Sequence, residues 1–129
     1  MSDASIAGNP TLDAMTDAYL EAAQWTTTDD QGRPVDSGPA YCEFSLAARQ
    51  TALEQCEDFL EHVDALDIEW RERMSAEQFG HDFWLTRNRH GAGFWDRGLG
   101  SLGDRLTDAA HTFGSVDVYV SDDGELEFA

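Results

Sequence analysis

The residues best suited to chemistry gather between His81 and Arg97. Three of the eight arginines (Arg87, Arg89, Arg97) and two of the four histidines (His81, His90) fall there, with Trp84, Phe94, Trp95 and closely spaced glycines. In a chain with 26 acidic residues this is a locally basic spot. A guanidinium presents a planar fork of donors that matches a phosphate or carboxylate, and an indole face stacks on a ring. Arg87, His90 and Arg97, with Trp84 or Trp95 beside them, are therefore the candidate ligand set for an anion or nucleotide. The glycines of His90-Gly91-Ala92-Gly93 would let a ligand approach the backbone, although they complete neither a Walker loop nor a dinucleotide fingerprint. An architectural reading stands beside this one. Trp84, Phe94 and Trp95 also suit a core, Gly91 and Gly93 suit a tight turn, and Arg87 or Arg97 suits an ion pair with Asp82 or Asp96.

Other chemistries have less support. His81, Asp82, His90 and Asp96 offer imidazole and carboxylate donors, but their spacings follow no zinc pattern, and no metal or cofactor is expected. Cys56 lies within an amphipathic stretch and no nucleophile-elbow sequence occurs, so a covalent nucleophile is not indicated. The second chemically informative feature is acidic. Glu54, Glu57, Asp58 and Glu61 follow i, i+3, i+4, i+7 spacing and line one face of a helix at separations of about 5–6 Å, comparable with phosphates along a DNA backbone. They are the candidate protein-interaction residues. A merely solubilising or salt-adapted surface would carry the same pattern.

The composition sets bounds on all of this. A formal charge of −18 repels nucleic acid phosphates and anionic membrane surfaces, which weighs against direct nucleic acid binding and membrane attachment. Every basic residue is arginine and none is lysine. Cys42 and Cys56 match no zinc or redox motif; on one helix they would stand about 20 Å apart at about 1.5 Å per residue. That exceeds the roughly 7 Å between Cα atoms that a disulfide tolerates, so two free thiols are expected. No apolar run approaches the roughly 18 residues of a membrane span, and the first residues have no signal-peptide character, so a cytoplasmic protein is expected.

The elements that must position these residues follow from periodicity. Asn9-Pro10 reads as an N-cap with proline at the first helical position, behind a loose N-terminus over residues 1–9, and a helix runs to about Trp25. Thr26 to Ala40 reads as loop. Glu43 to Val63 forms an amphipathic helix, Asp64 to Arg73 continues in helical style after a break, and Ser75 caps another short helix. Ser101-Leu102-Gly103-Asp104 has the form of a capping box, with Gly114 as the stop of its helix. Val116 to Ser121 alternates and turns through Asp122-Asp123-Gly124 into Glu125 to Phe128, a C-terminal hairpin with Leu126 and Phe128 inward. A lone hairpin is marginal in water, and Phe83 to Arg87 and Gly93 to Asp96 are the best donors of further strands, with a helical alternative open for 83–88. The whole predicts one α+β domain over residues 10–129, with helices packed on a small antiparallel sheet.

Gly80-His81-Asp82-Phe83-Trp84-Leu85-Thr86-Arg87-Asn88 followed by His90-Gly91-Ala92-Gly93-Phe94-Trp95-Asp96-Arg97 resembles a pattern found in a family of small proteins encoded by bacteriophages and prophages. The likeness is strongest over Gly80 to Arg97 and weaker through Leu106 and the hairpin. It implies a phage context and supplies no reaction. Arg89 stands where that pattern leads one to expect a small turn residue such as glycine. Together these readings lead to the expectation of a non-enzymatic accessory protein in the host cytoplasm that binds a host or phage protein, through DNA-phosphate mimicry by the acidic helix. The alternative is a small-ligand or nucleotide-binding protein, catalytic or not, built on His81 to Arg97.

Overall fold

Asn9 opens the first helix as its sequence suggests: its side chain accepts a hydrogen bond from Leu12 N at 3.0 Å, and Pro10 occupies the first turn, where no N–H is needed. The computed structural model describes residues 9–129. Apart from Asn9, the expected loose N-terminus lies outside the described residues. Four α-helices follow: α1 (Pro10–Trp25), α2 (Leu46–Ala65), α3 (Ala76–Arg87) and α4 (Ser101–His111). Ser45 caps α2 by accepting from Ala48 N, and Ser75 caps α3 by accepting from Gln78 N. The hairpin of β1 (Val118–Val120) and β2 (Leu126–Phe128) closes the chain, with Val118 opposite Phe128 and Val120 opposite Leu126. The fold is α+β.

The centre of the molecule is α3. Phe79, Gly80 and every residue from Asp82 to Arg87 are buried. Phe83 lies parallel to Phe59 of α2 with ring centroids 3.9 Å apart, and Phe79 does the same with Trp70 at 3.8 Å. Against α1 the two backbones touch, since a Cβ on Gly80 would lie 2.0 Å from the Met15 carbonyl oxygen. Any side chain there would force the helices apart.

Four expectations need correction. Phe83 to Arg87 is helical, and Gly93 to Asp96 supplies a 3-10 turn (Phe94–Asp96), so neither adds a strand and the sheet has two. A helix covered on all sides loses the apolar and polar alternation that marks a 3.6-residue period, which is why this stretch resembled a buried strand. Edge cover for the hairpin comes instead from Glu43 to Ser45, where Phe44 bridges Leu126 in parallel. α2 consequently begins at Leu46, after its cap, rather than at Glu43. The helix continues only to Ala65 and not on to Arg73, because Asp67 adopts φ 57° and Ile68 N donates back to Val63 O, a helix-ending motif that redirects Ile68 and Trp70 into the core. In α4 the N-cap position is taken by Gly100, one residue before the expected capping box, and Ser101 makes no capping hydrogen bond.

Cys42 and Cys56 are free thiols, as expected. Burial pushes the Cys56 thiol up to about 12, outweighing the hydrogen bond to Thr16 and the nearby Arg87 charge, so it stays protonated through the neutral range.

α3 ends in the same motif as α2. Arg89 adopts φ 58° while its N–H donates to Thr86 O and His90 N donates to Leu85 O at 2.9 Å. The position at which a small turn residue was expected is thus a left-handed turn held by arginine. Arg89→Gly is expected to raise stability by about 1 kcal/mol, by removing the Cβ penalty of that conformation. Urea unfolding midpoints check it; a lower midpoint would show that the arginine side chain contributes more than its backbone strain costs.

Candidate functional site

Arg87 is carried into the interior by the last turn of α3 and is 6% exposed. Its Nε donates to Gly114 O at 2.8 Å and Nη2 to Phe113 O at 3.0 Å, the two carbonyls that follow α4. Nη1 donates to the Tyr19 hydroxyl at 3.0 Å and to Gln55 Oε1 at 3.2 Å, while the guanidinium sits over the Phe83 ring. Tyr19 in turn donates to Gln55 Oε1. Burial raises the Tyr19 pKa well above the phenolic value, although Arg87 pulls the other way, so the hydroxyl remains neutral. Among the described residues no carboxylate forms an ion pair with Arg87. Its charge is met by carbonyl, amide and hydroxyl dipoles.

Arg97 does something different. Its Nε and Nη2 grip the Asp82 carboxylate at 3.1 and 2.8 Å, and Asp82 is fully buried with Gln78 Nε2 also donating to it at 2.9 Å. That hydrogen bonding raises the Arg97 pKa further, against the smaller effect of its own partial burial. The remaining face of Arg97 lines a cleft of about 320 Å³ with Arg73, Ser75 and Gln78 at the start of α3. Arg87 and Arg97 therefore do not converge.

The other candidate residues are also dispersed. Trp84 is buried, donates its indole N–H to Thr26 Oγ1 at 2.8 Å and meets Tyr19 edge-on. It shares a cleft of about 340 Å³ with His90, which is exposed, and with Asn88 and Thr26 to Thr28. Trp95 is 55% exposed on the 3-10 turn. Gly93 lets Phe94 N reach Thr86 Oγ1 at 3.1 Å, since a Cβ there would stand 2.3 Å from that oxygen. Among the described residues no three His, Cys, Asp or Glu side chains stand close enough to hold a metal ion.

The acidic row has a simpler geometry. Glu54, Glu57, Asp58 and Glu61 are all exposed on α2, and Asp64 extends the row. Among the described residues two polar contacts touch these five carboxylates: Gln50 Nε2 to Glu54 at 3.2 Å and Arg71 to Asp64 at 3.5 Å. No ion pair forms with Glu54, Glu57, Asp58 or Glu61 among the described residues.

Tyr19, Gln55 and Asn88 are the polar residues that the sequence reading passed over. Gln55 had a visible signal, because it stands three residues after Ala52 and four before Phe59 on an otherwise apolar stripe. Asn88 had none, since its partners, Trp84 O and Val116 N, include one far along the chain.

Charge-removing variants of the two arginines will report on folding. Arg87→Gln is expected to lower stability by about 2–4 kcal/mol, because it strands two buried carbonyls and a phenol, and Arg97→Gln by about 1–3 kcal/mol, because Asp82 stays buried without its counter-charge. Urea denaturation monitored by tryptophan fluorescence checks both; unchanged midpoints would remove these arginines from the scaffold.

Comparison of the chain with protein families, with curated proteins and with solved structures finds no match.

Proposed function

We propose that this protein is a non-enzymatic phage accessory protein of the host cytoplasm, which binds a host or phage protein by presenting the acidic face of α2 at a site built for nucleic acid. The supporting observation is the exposed, unneutralised row Glu54, Glu57, Asp58 and Glu61. Along a helix these four charges span seven residue steps in three intervals, a mean rise of ~3.5 Å of axis from one charge to the next, which is close to the ~3.4 Å per charge along one DNA strand. Like charges at this spacing disfavour the isolated helix by a few tenths of a kcal/mol per pair, so α2 must hold them through burial of Ala48, Ala52, Cys56, Phe59 and Val63. A basic groove that neutralises the row would relieve this repulsion and gain steering from the −18 net charge.

The test is capture of a partner from infected or lysogenic cells on the immobilised protein, followed by binding to wild type and to the E54Q/E57Q/D58N/E61Q variant. The variant should bind about tenfold more weakly or worse near physiological salt, with a shallower salt dependence, and heparin should displace the wild-type complex. Equal binding by the variant, or a complex that heparin does not disturb, would overturn the reading.

A second reading, small-anion binding, is favoured by one observation: Arg73 and the open side of Arg97 line the same cleft beside the N-terminus of α3. Arg73 is exposed and makes no ion pair among the described residues, and backbone N–H groups of the first helical turn face that end. Inorganic phosphate should then shift the amide resonances of Ala76 and Glu77 with an affinity in the ~1 mM range, and Arg73→Gln should abolish the shift. Identical titrations of wild type and variant would dismiss this site.

A further inference from the structure

We propose that the outer edge of β1 is a docking site for an extended basic peptide, which adds there as a further strand. This surface is separate from the acidic face of α2 and does not rest on the reading given for it. The hairpin register places Tyr119 opposite Glu127, and Ser121 N donates to Glu125 O while Ala129 N donates to Asp117 O. Antiparallel pairs alternate, so Asp117, Tyr119 and Ser121 turn their peptide groups toward β2, and Val118 and Val120 turn theirs away. Among the described residues, the N–H and C=O groups of Val118 and Val120 have no hydrogen-bond partner.

The contrast with neighbouring positions is informative. On the far side of the sheet, the equivalent groups of Leu126 are covered, with Leu126 N donating to Glu43 O at 2.8 Å and Ser45 N to Leu126 O at 3.2 Å. Next along β1, Val116 N is capped by Asn88 Oδ1 at 2.9 Å. The chain therefore closes one edge and caps the start of the other, and leaves a segment of strand length open. Unpaired edges of this kind accept a further chain unless blunted by lysine, proline or a bulge, and β1 carries none of these.

A groove follows that open edge. A cleft of about 340 Å³ separates Thr26 to Thr28 from Ser115 to Val118, and one of about 560 Å³ lies between Asp29, Asp30 and Arg33 and the following residues Tyr119 to Ser121. The opposite wall offers a second peptide edge. Asp29 N donates to Arg33 O and Val35 N to Thr27 O, so the bridged Thr28 directs its own N–H and C=O outward.

Charge and aromatic content select the occupant. Arg33 is occupied by Asp29 at 2.9 Å, whereas Asp30 and Asp117 are exposed and make no ion pair among the described residues. Tyr41 and Tyr119, 51% and 50% exposed, line the same groove, and their rings suit arginine or lysine stems and cation–π contact. A second copy of this chain is disfavoured as occupant, because each copy carries −18.

The probe is the pentapeptide Arg-Val-Arg-Val-Arg, its fully N-methylated form, and Glu-Val-Glu-Val-Glu, each added to the full chain. The parent peptide should slow hydrogen exchange at the Val118 and Val120 amides, and N-methylation, which keeps the charge and removes the donors, should weaken binding about tenfold or more. Val120→Pro, which deletes an outward donor without touching the β1–β2 ladder, should reproduce that loss for the parent peptide. Equal binding of the N-methylated form would mean charge attraction alone and overturn the proposal. So would equal binding of the acidic peptide, absence of parent binding at about 1 mM, or a dimer in solution whose Val118 and Val120 amides are already protected.

Discussion

Much of this structure depends on one buried guanidinium. Arg87 connects α1 through Tyr19, α2 through Gln55, and the strap after α4 through the Phe113 and Gly114 carbonyls. A charge taken from water is tolerated only when nearly all its donors meet well-placed acceptors, so these partners constrain one another. The neighbouring turn continues the connection, since Ser115 Oγ donates to Arg87 O and Val116 N to Asn88 Oδ1. The end of α3 thereby fixes where the strand leading into β1 must start.

The aromatic core explains why this polar junction is stable. Phe59, Phe79, Phe83 and Trp70 form near-parallel pairs, and Phe113 meets Phe59 and Phe83 edge-on. Each such pair contributes about 0.5–1.5 kcal/mol beyond its burial, and the Phe83 ring covers one face of the buried guanidinium. In that environment the hydrogen bonds of Arg87 are stronger than their counterparts at the surface.

The distribution of the few cations carries the functional argument. Arg87 and Arg97 are committed to interior partners, while Arg33, Arg49 and Arg71 pair with Asp29, Glu43 and Asp64 at the surface. Exposed pairs of this kind contribute about 0–1 kcal/mol each, so their larger consequence is to leave other carboxylates unmatched. The row on α2 and the rim of the groove beside β1 are among the unmatched ones. The roles proposed for both surfaces call for basic partners, one through regular charge spacing and the other through open peptide groups.

The sequence by itself determined the features whose causes are local. Asn9-Pro10 and Ser75 mark helix starts because a cap bonds to an amide two or three residues ahead, and the hairpin is legible because strand alternation and an Asp-Gly turn lie side by side. The acidic face of α2 follows directly from helical spacing, whereas the separation of the two thiols does not, because Cys42 lies before α2 rather than on it. Tertiary structure alone decided whether 83–87 is helix or strand, because a segment buried on every side carries no period that distinguishes the two. It also chose the internal partners of Arg87 and Arg97. The same side chains suit a phosphate, a carboxylate or a backbone carbonyl, and the nearest of these was set by residues 15 and 27 positions away: Asp82 for Arg97 and Gly114 for Arg87.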